Sequence, residues 1–367
     1  MSRLVIKLGT STLTDGTSHL SLPRMVDLVR QLNELITQGH EIILVSSGAM
    51  AAGKEHLNFP QLPRSIPAKQ MLSAVGQPQL MARWGEFFGI FDRLTAQVLL
   101  TRSDLRSRRR YLNARNALLA LIQQGVVPII NENDTVATEE IRVGDNDNLS
   151  ALVSNLIDAD LLMLLTDQEG LFDADPRQNP DAQLVRHVQT PHIPDDLWAV
   201  AGGGGKLGTG GMHTKLQAAD LARRSGAEVV IARGSAPDII LDIAAGKPCG
   251  TRFSPVSDAA ESFKRYILSG GEAGQIVIDD GAARALRRGG SLLPAGVTSV
   301  TGDFIRGETV EVTNPNTGEI ARGLVNYHAT DCQALAGHHS DEIITILGYH
   351  YGEEIIHRNN LVLVSSG

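Results

Sequence analysis

The sequence predicts an α/β fold, an open and mostly parallel sheet sandwiched by helices, with a small β-rich barrel domain after it. Three observations carry this expectation. Through about residue 235 the chain repeats one unit: a short apolar run rich in β-branched residues, a turn of Gly, Ser or Asp, then a segment of helical period. Such repeats read as βαβ units on a parallel sheet. From about Gly250 to Gly270 that rhythm breaks. Beyond it, short alternating runs lie between glycines, the pattern of small barrels and sandwiches.

The elements follow in order. Leu4–Lys7 reads as the first strand. Behind Ser21, the residues Leu22, Met25, Val29, Leu32 and Ile36 recur at spacings of three and four, and Gly39 ends the helix they define. Ile42–Val45, Gln97–Leu100, Val126–Ile130, Leu161–Leu165 and Val229–Ile231 continue the strands. The aperiodic stretch around Thr251–Asp258 marks the boundary. The expected partition is therefore a large domain over residues 1–255, a linker over 256–270 and a small domain over 271–356. In the small domain Gln275–Ile278, Thr309–Val312 and Ile320–Val325 read as strands and Ala282–Arg288 as a short helix.

Composition excludes several classes. At 367 residues and 39.3 kDa the chain has room for two domains with ordinary cores. Two cysteines, Cys249 and Cys332, build neither a disulfide framework nor a four-thiolate zinc site. The longest apolar runs, such as Leu161–Leu165, are too short to span a bilayer. Met1-Ser2-Arg3 leads straight into a strand without an apolar leader, so the expected location is the cytoplasm, with no membrane partner. From Gly271 onward twelve acidic residues face six arginines and no lysine, so this segment carries −6 of the total −8. A surface built to neutralise phosphates is basic, which argues against a nucleic-acid partner. Arg102, Arg106, Arg108, Arg109 and Arg110 are interrupted by Asp104 and read as a solvated helix face or a subunit contact. His338, His339, His350 and His357 lack metal-ligand spacing, and no metal is assigned to protein ligands.

In open α/β sheets ligands sit beyond the carboxyl ends of the strands. There the sequence places Lys7-Leu8-Gly9-Thr10-Ser11, Ser46-Ser47-Gly48-Ala49, Asn131-Glu132-Asn133-Asp134 and Thr166-Asp167. Gly144-Asp145-Asn146-Asp147-Asn148 precedes a helix expected to start near Leu149, and Gly208-Thr209-Gly210-Gly211-Met212 leads to Lys215 at the start of another. Two lysines across a cleft, with backbone N–H groups and helix N-termini between them, suit a triphosphate. Phosphoryl transfer needs positive charge and alignment, and a carboxylate such as Asp147 serves to orient the lysines. The run Gly203-Gly204-Gly205-Lys206-Leu207-Gly208 follows a helical segment, so it is no dinucleotide fingerprint, and no G-x-x-x-x-G-K-[ST] occurs.

These motifs resemble the amino acid kinase family. Val5–Ser11, Ser46–Ala49, Asn131–Asp134, Val143–Ser150, Thr166-Asp167, Gly170-Leu171, Asp175–Arg177 and Gly208–Lys215 carry the likeness through nearly the whole chain. The pairing of Asn-Glu-Asn-Asp with Gly-Asp-Asn-Asp-Asn points to the glutamate-specific branch, which bears a C-terminal PUA domain. Ser291–Val297 and Gly302–Glu308 resemble that domain. The resemblance implies the amino acid kinase fold and a reaction: ATP and L-glutamate give ADP and L-glutamyl 5-phosphate, the first step of proline biosynthesis. It also implies roles. Lys7 and Lys215 stabilise the transferring phosphoryl group and Asp147 orients both. Ser47, Gly48, Asp134, Asp145 and Asn146 hold glutamate, Asp134 taking the ammonium and Asn146 a carboxylate. Lys7, Gly9, Thr166, Asp167, Thr209, Gly210, Gly211, Met212, His213, Thr214 and Lys215 contact ATP.

Family behaviour further implies Mg2+ with ATP, feedback inhibition by proline, a homo-oligomer (dimer or tetramer) and hand-over to glutamyl phosphate reductase. The PUA-like domain is expected to pack on the kinase domain and modulate assembly or inhibition. Two alternatives stay open on residues alone. One is a family member acting on aspartate, acetylglutamate, a nucleoside monophosphate or carbamate. The other is an RNA-binding protein led by its PUA-like domain, which aromatic residues at only 4% do little to support.

Overall fold

In the computed structural model the described residues are 1–63, 65–137, 145–202, 211–256 and 273–364, without the side chains of Arg108 and Asp145. Gly144, the stretch 203–210 with Thr209 and Gly210, and most of the expected linker lie outside the described residues. The chain divides into two compact units: Met1–Ser103 with Arg115–Ala260, and Asp104–Ala114 with Glu261–Gly367.

The large sheet contains β1 (Arg3–Leu8), β2 (Glu41–Ser46), β3 (Thr95–Leu100), β4 (Val127–Glu132), β5 (Leu161–Thr166), β6 (His187–Val188), β7 (Glu228–Arg233) and β8 (Thr251–Phe253). Their order is β3-β4-β2-β1-β5-β7-β8-β6. Every pairing is parallel except β7 with β8. β4 and β5 are buried throughout, so both faces are covered and their sequences run apolar without alternation. In register, Leu8 aligns with Ser46 and Leu165, and Val45 with Ile130. Lys7, Ser47, Asn131 and Thr166 thus emerge along one edge of the sheet.

The helices of the same stretch are α1 (Thr10–Thr14), α2 (Leu22–Thr37), α3 (Ala49–His56), α4 (Ile66–Gly89), α5 (Arg102–Arg106), α6 (Arg108–Gln123), α7 (Asp145–Leu156), α8 (Asp195–Gly202), α9 (Met212–Arg224) and α10 (Ile239–Ala244). α2 starts where the capping signal lies: the Ser21 side chain accepts the Arg24 amide at 3.4 Å, with Pro23 in the first turn. Its buried stripe is Met25, Leu28, Val29, Leu32 and Leu35. Leu22 stays 45% exposed, because it stands in the first turn, ahead of the stripe that meets the core.

α3 and α4 meet at the backbone. A Cβ on Gly53 would stand 2.0 Å from the Leu72 carbonyl oxygen, and one on Gly76 would stand 1.8 Å from that of Ala49. Only glycine fits such an approach. This contact fixes α3, whose N-cap Gly48 has φ +107 and lies at the sheet edge.

β6 and β8 are not anticipated, since two and three residues are too few to display a period. Gly250 turns the chain into β8 with φ +62, where a Cβ would meet the Ile231 carbonyl oxygen at 2.1 Å. The aperiodic stretch therefore begins with a strand, and Phe253 is fully buried.

The second unit holds a five-stranded sheet of β9 (Gly274–Ile278), β10 (Val297–Gly302), β11 (Thr309–Asn314), β12 (Gly318–Leu324) and β13 (Leu361–Leu363), ordered β10-β9-β11-β12-β13. Only β9 with β11 is parallel. The sheet runs past residue 356, because β13 pairs with β12. A helix over Asp280–Arg287 is capped by Asp279, whose carboxylate accepts the Ala282 amide at 2.7 Å. The core gathers Ile276, Val310, Val312, Tyr327 and Ile356. Among the described residues no helix is long and apolar enough to cross a membrane.

Candidate active site

A cavity of about 680 Å³ opens at the carboxyl ends of the first unit's strands. Its lining joins Lys7 from β1 and Gly9 beyond it, Ser47 and Gly48 between β2 and α3, and Asn131, Glu132 and Asp134 at and after β4. Asn146 and Asp147 from α7, which begins at Asp145 rather than near Leu149, Thr166 and Asp167 at β5, and Lys215 from α9 line it as well.

Asp147 has no solvent exposure. Its Oδ1 pairs with Lys7 Nζ at 2.5 Å and its Oδ2 with Lys215 Nζ at 3.2 Å. The Thr214 hydroxyl donates to the same Oδ2 at 2.9 Å. Burial alone would raise the pKa of Asp147, but Lys7, Lys215 and the hydrogen bonds from Lys7 and Thr214 hold it below the usual carboxylate value. Lys7 moves down from the ordinary lysine value, chiefly through burial, with Asp147 opposing and Lys215 reinforcing the shift. One lysine comes from strand β1 and the other from helix α9, and one carboxylate holds both.

The acceptor side is polar and differently charged. Burial pushes Asp134 above the usual carboxylate value, with Ser73 partly offsetting it. The Asn146 amide nitrogen donates to Ser47 Oγ and to Asn131 Oδ1, both at 2.9 Å. Asn146 Oδ1 is shielded from solvent and has no hydrogen-bond partner among the described residues. Behind it, Asn131 Nδ2 donates to Gln77 Oε1 at 2.8 Å, and Gln77 Nε2 donates to Gln97 Oε1 at 3.2 Å.

Of the residues expected at ATP, Lys7, Gly9, Thr166, Asp167 and Lys215 line the cavity, and the Thr166 hydroxyl donates to Asp167 Oδ1 at 2.9 Å. Gly211 caps α9, and Met212, His213 and Thr214 form its first turn. The His213 ring meets Trp198 edge-on at 5.5 Å. Thr209, Gly210 and the Asp145 side chain are outside the described residues.

Asn131, Glu132, Lys54 and Lys69 also line the cavity and carry no assigned role in the sequence reading. Asn131 and Glu132 belong to the Asn-Glu-Asn-Asp motif at the end of β4. Lys54 and Lys69 come from helices α3 and α4, away from the strand-end motifs, and nothing local distinguishes them from solvated lysines.

A crossed pair of lysines on one buried carboxylate, set beside a small polar pocket at strand ends, defines a class: a phosphotransferase acting on a small acceptor. The chain belongs to the amino acid kinase family, whose sequence model matches residues 2–233, and a PUA domain matches residues 274–347. It is 55% identical over 364 residues to proteins named glutamate 5-kinase from Vibrio campbellii, Vibrio parahaemolyticus and Photobacterium profundum. Each alignment covers 98% of this chain and 96% of the relative. A solved structure of UMP kinase from Bacillus anthracis aligns at TM-score 0.47 and 13% identity, over 70% of this chain and 97% of that one.

Proposed function

We propose that this chain transfers the γ-phosphoryl group of ATP to the side-chain carboxylate of L-glutamate, giving ADP and L-glutamyl 5-phosphate, the first step of proline biosynthesis. The observation that carries the reading is the double clamp of Lys7 and Lys215 on Asp147, beside the pocket of Ser47, Asp134 and Asn146. The relatives named glutamate 5-kinase support the choice of acceptor.

The residues divide the work. The acceptor carboxylate is ionised at neutral pH and attacks the γ-phosphorus itself, so no general base is required. Lys7 and Lys215 neutralise charge on the transferring group from two sides, and Asp147 keeps them apart and aligned. Asp134 takes the ammonium of glutamate. Gly9, Thr166, Asp167 and the start of α9 hold the nucleotide. Among the described residues no three carboxylate, His or Cys side chains cluster as a metal site. Mg2+ would enter on the phosphate oxygens of ATP and on water, and Glu132, Asp134, Asp147 and Asp167 are the carboxylates that line the cavity it enters. The ion would supply charge neutralisation on the phosphates. Proline as inhibitor at or beside the glutamate pocket, a homo-oligomer, delivery of product to a reductase and a cytoplasmic location complete the proposal.

Purified protein with Mg2+ and ATP is offered L-glutamate, L-aspartate, N-acetylglutamate or UMP, with hydroxylamine present to trap an acyl phosphate. ADP release and hydroxamate formation with L-glutamate alone is the expected result. Turnover with a different acceptor would keep the phosphoryl-transfer machinery and discard the acceptor assignment.

A further inference from the structure

Helix α3 ends in a turn that its own hydrogen bonds explain only in part. The Asn58 N–H donates to the Glu55 carbonyl at 3.1 Å and the Phe59 N–H to the Lys54 carbonyl at 2.7 Å, the paired bonds that close a helix through one left-handed residue. Asn58 is that residue, with φ +54, and asparagine tolerates the conformation. Phe59 is left-handed as well, with φ +55, and the cap does not require it. A bulky side chain is an outlier there, the more so before Pro60, because the residue ahead of a proline is ordinarily extended. Such strain persists only where the surroundings hold it, and it gathers at functional sites. Phe59 is held by a ring contact: its centroid lies 4.7 Å from that of His19, with the planes at 73°. The two rings belong to different walls of the cavity. Phe59 lines it beyond the end of α3, whereas Thr17 and Ser18 line it from the loop after α1 that carries His19. At 38% exposure Phe59 meets both the cavity and solvent, which sets it at the mouth. That loop is tied to α3 by the Leu20 N–H, which donates to Glu55 Oε2 at 3.3 Å.

We propose that Phe59 excludes water from phosphoryl transfer, its ring and that of His19 bridging the mouth of the cavity while ATP is bound. This rests on the phosphoryl-transfer reading above and not on the choice of acceptor. With the mouth open, a water oxygen bonds to the γ-phosphorus and the bond to the β,γ-bridging oxygen breaks. ADP and inorganic phosphate leave, and the proton of the water passes to solvent. Lys7 and Lys215 stabilise the transferring group whichever nucleophile attacks it, so coupling depends on keeping water out.

The test measures ADP release with Mg2+ and ATP in the absence of acceptor, and hydroxamate formed per ADP when L-glutamate and hydroxylamine are added. In the parent, hydroxamate should match ADP. Phe59→Gly and Phe59→Ala should raise acceptor-free ADP release about tenfold, the change in open population that loss of one aromatic pair produces, and lower hydroxamate per ADP. Phe59→Tyr keeps the ring and should stay within about twofold of the parent. Of the two small variants, Gly should unfold at the higher temperature, because glycine takes the left-handed conformation without strain. Coupling retained by both small variants, or Gly unfolding below Ala, would overturn the proposal. If the variants at 59 do not fold, His19→Ala at an exposed position removes the contact from the other side. It should raise acceptor-free release by the same factor, and release equal to the parent's overturns the proposal by itself. Parent protein that releases no ADP with any acceptor refutes the phosphoryl-transfer reading instead.

Discussion

At Asp147 a carboxylate out of contact with solvent holds two lysine ammoniums, and each of the three charges is tolerable in the interior only because of the others. Replacing it as Asp147→Asn should lower kcat by about 10²–10³-fold, the usual loss when one preorganised electrostatic group is removed. The same change should cost about 3–5 kcal/mol of stability in denaturant unfolding, since two buried ammoniums lose their counter-charge. The folded pKa of Asp147 lies below its unfolded value. Its stabilisation is therefore complete above the ordinary carboxylate range and fades as pH falls through the folded pKa. Asp134 has the opposite sign. Its folded pKa lies above its unfolded value, so the folded state keeps a proton that the unfolded state has lost, and stability falls as pH rises through that interval. Asp134→Asn should therefore raise Tm at neutral pH while raising the glutamate KM about tenfold or more, with the acid limb of the parent's KM profile abolished. A variant that is less stable and binds glutamate normally would contradict both halves.

The contact between α3 and α4 shows how a helix pair sets the acceptor pocket. Gly48 opens α3 at the cavity wall, and Gly53 and Gly76 let the two backbones touch. Gly76→Ala places a methyl 1.8 Å from a carbonyl oxygen, so the helices must part. About 1–3 kcal/mol of destabilisation is expected from such overpacking, together with a raised glutamate KM, measured by thermal unfolding and steady-state kinetics. The long central strands were legible in the sequence because burial on both faces leaves an uninterrupted apolar run, as in Leu161–Leu165. α2 was legible from its cap and its stripe, although the stripe sits one step from where Leu22 and Ile36 suggest. β6 and β8 were not, being held by neighbours rather than by their own pattern. Lys7, Asp147 and Lys215 were legible as strand-end and helix-start residues. The hydrogen bond from Asn131 to Gln77 was not, because Gln77 lies 54 positions away on α4, and only the folded arrangement brings them together.

Taken whole, the molecule separates charge between its parts: the segment from Gly271 carries −6 of the −8 total. The second unit does contain Arg306 stacked 3.6 Å from the centroid of Tyr351, with Tyr327 and Tyr349 beside it. One arginine on an aromatic group does not offset that excess of acid. The full chain should give no salt-sensitive retention of tRNA at about 0.1 M salt, whereas a steep loss of binding with added salt would mark phosphate contacts that its charge does not favour. The machinery of the first unit is also assembled from distant stretches: Lys7, Ser47 and Asn131 precede Asp147, and Lys215 follows it by 68 residues. The double clamp therefore exists only while β1, α7 and α9 are packed together, and any opening that lifts Met212–Arg224 away leaves Asp147 with a single cation.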